Sequence, residues 1–187
     1  MKILSLDQST TATSVALFDG ETLVDYVLLK PKASKKITEL KYEYDSNTHV
    51  YSLKMPSEMY DVTLLRITVI TDVLETFIKK EKPDVVYFED IYENRNPNGF
   101  KSLARLQGFI AHLCHKYNIP YKIVKESEWI QEWGTYSNKI KREERKADIM
   151  NKVNCLYGTD ITIDDISDSI GIGKYAIEKE NLNGKLY

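Results

Sequence analysis

Hydrophobic positions in this chain come first in short runs and later at helical spacing. Ile3, Leu4 and Leu6 lie within Lys2–Asp7, which reads as a strand, and Val15, Leu17 and Phe18 lie in a second strand at residues 13–18. Asp19-Gly20 is a hairpin signal leading into a third strand at residues 22–30. Three strands therefore open the chain as an antiparallel meander. Residues 31–57 are polar, with several Lys and Tyr and no sustained period. They read as a long connection with room for a short strand at residues 49–54. Pro56-Ser57 then begins a helix with Ser57 as N-cap. Val62, Leu65, Val69, Val73 and Phe77 give it one apolar face, and Lys79-Lys80-Glu81-Lys82 with Pro83 end it.

The run Asp84-Val85-Val86-Tyr87-Phe88-Glu89 is nearly all apolar, as in a strand covered on both faces. An Asn-rich loop at residues 90–99 follows. Helices are expected at residues 100–117, 127–132, 142–155 and 165–177, with a strand at 121–124. Both later strands arrive through helical crossovers. The expected fold is α/β, a mixed central sheet of about five strands with helices packed on it. The length of 187 residues suits one domain, taken here as 1–187.

Composition narrows the partners. Apolar residues make up 42% and charged residues 29%, an ordinary globular balance. Lys plus Arg number 26 against 28 Asp plus Glu, for a formal charge of -2. Nucleic-acid binding by bulk charge is excluded, so any such contact must come from local patches. Two cysteines, Cys114 and Cys155, make no disulfide framework and fit a reducing compartment. The start turns polar at Asp7, too early for a signal-peptide core, and no apolar run reaches membrane-helix length. A soluble, cytoplasmic protein is expected.

The candidate chemistry lies in the carboxylates. Asp7 ends the first strand, Glu89 ends the fourth, and Asp165 and Asp168 stand three apart on one face of the last helix. In a mixed α/β sheet, strand ends and a nearby helix can converge on one cleft. Four acids gathered there would repel one another strongly unless cations lay between them. Hard divalent cations such as Mg²⁺ take such oxygens, and two ions about 4 Å apart clamp the attacking and leaving oxygens of a phosphodiester. Spacing does not choose between Asp165 and its neighbour Asp164, because both are within reach of Asp168 on a helix.

These residues resemble a known family. Leu6-Asp7-Gln8-Ser9-Thr10-Thr11-Ala12-Thr13, Lys82-Pro83-Asp84-Val85-Val86-Tyr87-Phe88-Glu89 and Asp165-Ile166-Ser167-Asp168 follow the order seen in RuvC-type Holliday-junction resolvases. Ser102-Leu103-Ala104-Arg105-Leu106-Gln107-Gly108 resembles that family's helix after the catalytic Glu. The resemblance runs from Lys2 to about Ala176 and implies an RNase H-like fold. It implies metal-binding catalytic roles for Asp7, Glu89, Asp165 and Asp168, and it selects Asp165 over Asp164. It further implies a Mg²⁺-dependent endonuclease, Mn²⁺ being an alternative, with two ions per subunit. Such an enzyme would nick four-way DNA junctions symmetrically as a homodimer, leaving 5′-phosphate and 3′-hydroxyl ends. Gln8-Ser9 and Ser14 replace the family's usual Pro-Gly and Gly, and residues 31–57 are longer and more polar than usual. These departures suit a divergent viral or mobile-element member.

Tyr92 stands three residues past Glu89, where the resemblance places an aromatic that stacks on an unpaired base. Lys139, Lys141, Arg142, Arg145 and Lys146 surround only two acids, Glu143 and Glu144, and Lys139, Lys141 and Arg142 are the candidate phosphate contacts. The same turn after Asp7 also resembles the phosphate loop of sugar kinases and actin-like proteins. Those enzymes close two domains over ATP, which 187 residues do not supply. A non-catalytic junction binder is a third reading, but it has no use for four carboxylates. Forks and flaps are further candidate substrates.

Overall fold

A computed structural model describes residues 1–57, 61–92, 96–134 and 140–184. Its centre is one mixed sheet. β1 (Lys2–Asp7), β2 (Thr13–Asp19) and β3 (Thr22–Ser34) form the antiparallel meander. Gly20 turns the first hairpin with a positive φ of 59°, which a residue without Cβ adopts freely. β6 (Val85–Glu89) lies parallel to β1, and β7 (Tyr121–Val124) parallel to β6.

The sheet has seven strands rather than five, in the order β4-β5-β3-β2-β1-β6-β7. The additions come from the segment expected to be a long connection, in which the strand at residues 50–56 matches the short strand expected at 49–54 and the one at residues 41–45 was not foreseen. β3 runs on to Ser34, then β4 (Lys41–Asp45) and β5 (Val50–Pro56) form a hairpin whose second strand pairs parallel to β3. β4 is exposed along its whole length, so no apolar face announces it. What holds it is cross-strand. Tyr42 and Tyr44 lie against Tyr51, and Lys54 reaches Glu43 at 2.6 Å. The turn between them is tied by the Asp45 carboxylate, which accepts from the Asn47 amide at 2.9 Å and the Thr48 hydroxyl at 2.8 Å.

Helices cover both faces. α1 (Val62–Glu81) and α2 (Pro97–Lys116) bury Ile67, Ile70, Leu74, Leu106 and Ile110 against Leu4, Leu6, Val15, Val27 and Leu53. α1 begins one turn later than Ser57 suggests. Its N-cap is Asp61, whose carboxylate accepts from the Thr63 and Leu64 amides at 2.9 and 3.0 Å. On the other face α3 (Glu126–Glu132), α4 (Arg142–Tyr157) and α5 (Asp164–Gly184) bury Trp129, Ile130, Ile149, Ile166, Ile170 and Ile177 against Ile3, Phe18 and Tyr87. Among the described residues, no helix is long and apolar enough to cross a membrane.

α5 lies unusually close to the sheet. The Ser5 hydroxyl donates to the Ser169 carbonyl at 2.8 Å, and the Ser14 and Ser169 hydroxyls share a hydrogen bond at 2.7 Å. One turn on, a Cβ at Gly173 would sit 2.7 Å from Ser5 Oγ and 2.8 Å from Phe18 Cδ2. Both neighbours are fully buried and have nowhere to move. Gly173→Ala should therefore lower stability by about 1–3 kcal/mol in urea unfolding, because overpacking outweighs the gain in helix propensity. Gly108, inside α2, has open space at the equivalent point. Gly108→Ala should raise stability by up to about 1 kcal/mol. Equal responses at the two positions would remove the close-packing explanation.

Candidate active site

Adjacent parallel strands put two of the acids side by side. Leu6 pairs with Phe88, so the next residues, Asp7 and Glu89, leave β1 and β6 together. The backbone around Glu89 is tied down from two directions. Gln8 and Gln107 both donate their side-chain amides to the Glu89 carbonyl, Gln107 at 3.3 Å. The turn after Asp7 is closed by Thr13, whose hydroxyl donates to the Ser9 carbonyl at 2.6 Å and accepts from the Ser9 amide at 3.2 Å. α5 brings Asp165 and Asp168 in from its first two turns, one face-step from the Ser169 contact that seats the helix.

All four acids line one cleft of about 380 Å³. Tyr92 and Arg142 line it too, and Tyr92 is 50% exposed. Lys141 stands exposed at the N-cap of α4 and is not part of the lining. Lys139 lies outside the described residues.

The electrostatics of the cleft are those of acids short of positive charge. Burial, with Asp168, Glu89 and Asp165 nearby, pushes Asp7 well above the ordinary carboxylate range. Burial and the charges of Glu126 and Asp168 push Glu89 up to about 8. Asp168 rises to about 6, chiefly through burial, although Lys146 opposes the shift from 3.4 Å. Asp165 is raised by burial and by Asp164. Asp164 behaves differently. Its carboxylate bonds Lys146 at 2.5 Å, which holds it below the usual range.

Among the described residues, the buried side-chain atoms of the cleft lining without a hydrogen-bond partner include the oxygens Asp168 Oδ1 and Gln8 Oε1. A buried carboxylate oxygen with no donor is costly, and a cation bound to it removes that cost. Among the described residues, no three Asp, Glu, His or Cys groups form a ready-made coordination shell. The donor set nevertheless fits a hard divalent cation, because it is all oxygen, negative and under-neutralised.

Sequence reasoning missed part of the site. Glu126 lines the cleft, raises Glu89 and binds Arg145 at 2.9 Å. Its signal was available, since it follows the end of β7 as Asp7 ends β1 and Glu89 ends β6. Arg145 and Lys146 emerge as cleft residues, where the sequence singled out Arg142 and Lys141. Gln8 has no sequence signal, because only the fold shows that its amide meets the Glu89 carbonyl.

These shifts have a sign. A carboxyl group raised in the folded state binds more protons there than when unfolded, so stability falls as pH rises. The window runs from the unfolded value near 4 through about 6 for Asp168 and about 8 for Glu89. Glu75, held at about 2 by its Tyr117 and Lys116 hydrogen bonds, contributes the opposite slope, confined to the pH range below about 5 in which its unfolded form still titrates. In chelator, Tm should decline between pH 5 and 8, and Glu89→Gln should flatten the decline. A flat wild-type profile would show that these acids are not desolvated in solution.

No protein-family model and no curated protein sequence matches this chain. Solved structures do. The chain is similar to Thermus thermophilus RuvC in complex with a Holliday junction substrate, at 11% identity and a TM-score of 0.67, covering 96% of both chains. It is also similar to the yeast mitochondrial Holliday junction resolvase Ydc2, at 13% identity and a TM-score of 0.51, covering 94% of this chain and 77% of that one. With its seven-stranded mixed sheet flanked by helices, the chain has the RNase H-like fold of the RuvC-type resolvases.

Proposed function

We propose that this chain is a single-domain, divalent-cation-dependent endonuclease that resolves four-way DNA junctions. The observation that carries the reading is the convergence of Asp7, Glu89, Asp165 and Asp168 in one cleft, with a buried Asp168 oxygen left unpartnered. The fold is shared with a resolvase bound to its junction substrate. Asp7, Glu89, Asp165 and Asp168 would hold two Mg²⁺ or Mn²⁺ ions per subunit. Bound there, the cations supply Lewis-acid polarisation of the scissile phosphate and a nucleophile at neutral pH.

The chain's own residues do the rest. Asp7 and Glu89 set the floor of the site, and the Gln8 and Gln107 amides keep the Glu89 backbone from shifting. Lys146 bridges Asp164 and Asp168, which orients the α5 carboxylates. Arg142 and Arg145 give the α4 wall positive charge that meets phosphates. Tyr92, exposed at the cleft, offers a ring to an unpaired base at the junction centre, a contact worth about 1–3 kcal/mol. In-line attack would leave 5′-phosphate and 3′-hydroxyl ends. Symmetric nicking of a two-fold junction requires two such sites about a two-fold axis, hence a homodimer.

Three outcomes follow with labelled four-way junction in Mg²⁺. Glu89→Gln should abolish cleavage and retain binding, because the amide keeps the shape and loses the charge. Asp165→Asn should lower the nicking rate by about 10³-fold, near 4 kcal/mol of barrier, with little change in Tm. Asp164→Asn should keep activity within about tenfold, since Asp164 serves Lys146. If Asp164→Asn is instead the dead enzyme, the carboxylate register is off by one. Neutralising Lys141 and Arg142 together should reduce the salt slope of binding by up to about one unit per lost phosphate contact. An unchanged slope would show that the start of α4 does not touch DNA.

A further inference from the structure

The sheet extension built from residues 31–56 walls one side of a second cavity, half open to solvent and of about 490 Å³, between β3, β4, β5 and α1. It shares no lining residue with the carboxylate cleft. Its walls are aromatic. Tyr42 and Tyr44 of β4 stand beside Tyr51 of β5, with ring centroids 6.4 and 5.7 Å from it, and Phe77 closes the cavity from α1. Two carboxylates face into this ring system from different elements, Asp25 on β3 and Asp72 on α1.

Each acid acts on a different tyrosine. Burial and Asp72 raise the Tyr42 phenol above its ordinary range, while burial and Asp25 raise Tyr44. The two charges therefore mark two separate points of the cavity. Among the described residues, neither Asp25 nor Asp72 has an ion-pair partner. The basic residue in the lining, Lys80, is ion-paired with Glu81 at 2.9 Å and also feels the charge of Asp25.

This combination selects a class of ligand. The cavity's volume is that of a small-molecule site and far exceeds an inorganic ion. Aromatic faces attract cations and also cover methylene groups. A neutral apolar ligand would desolvate both carboxylates without pairing them, and an anion would be repelled. A long organic cation charged at both ends matches the aromatic and acidic walls, with Lys80 held by Glu81. We propose that this cavity binds a linear alkyl polyamine, with ammonium groups at Asp25 and Asp72 and methylenes against Tyr42, Tyr44 and Tyr51.

Titration calorimetry of the full chain with spermidine, at physiological salt and without divalent cation, tests this. One saturable site per chain is expected. The double variant Asp25→Asn/Asp72→Asn should weaken binding at least tenfold, and Tyr44→Ala should weaken it with no change in charge. Tyr44→Phe should retain it, since the ring face is kept. Glu89→Gln alters the carboxylate cleft and should leave binding unchanged, so the result is independent of the nuclease reading. Circular dichroism confirms that each variant is folded. Binding that survives Asp25→Asn/Asp72→Asn, binding lost in Glu89→Gln, or no saturable heat at millimolar spermidine would each overturn the proposal.

Discussion

The close seating of α5 on β1 and β2 is the constraint on which the site depends. Two serine contacts and the bare Cα of Gly173 let the helix approach the sheet more nearly than a larger residue would permit. Asp165 and Asp168 lie one turn or less from Ser169, so their position relative to Asp7 follows from that packing. A helix held further away would leave Asp7 and Glu89 as an incomplete pair at the strand ends. Sheet pairing fixes one half of the carboxylate set and helix packing the other.

The same closeness makes the gathering of these carboxylates electrostatically unfavourable. Asp7, Glu89, Asp165 and Asp168 all hold their protons more tightly than ordinary carboxyls, and burial is the first cause in every case. Lys146 pairs with Asp164 and Asp168 and is also felt by Asp7, and Arg142 opposes the shifts of Glu89 and Asp165, but burial outweighs these charges. An arrangement of this kind conflicts with local stability, which is the expected signature of a functional site. A divalent cation would reverse the conflict, because the deprotonated acids then become ligands.

Much of this was legible in the chain. The meander, the buried run ending at Glu89 and the helical pair Asp165 and Asp168 follow from apolar periodicity and turn residues. β5 falls where a short strand was expected, but β4 was not legible, because it buries nothing and its pairing rests on tyrosine contacts and one ion pair with β5. The start of α1 was misplaced because Ser57 and Asp61 are equally good caps by residue type, and only the backbone shows which side-chain oxygen meets free amides. In the site, strand ends identified Asp7 and Glu89 and could have pointed to Glu126, whereas Gln8 and Lys146 act through partners distant in sequence. Such pairings carry no local pattern.

The central claim is that these four carboxylates form a cation site. It is tested most directly by anomalous diffraction at the manganese edge from crystals of the protein grown with Mn²⁺. The account predicts anomalous density in the cleft, coordinated by oxygens of Asp7, Glu89, Asp165 and Asp168. Manganese bound only elsewhere, with the cleft carboxylates still unliganded, would contradict it.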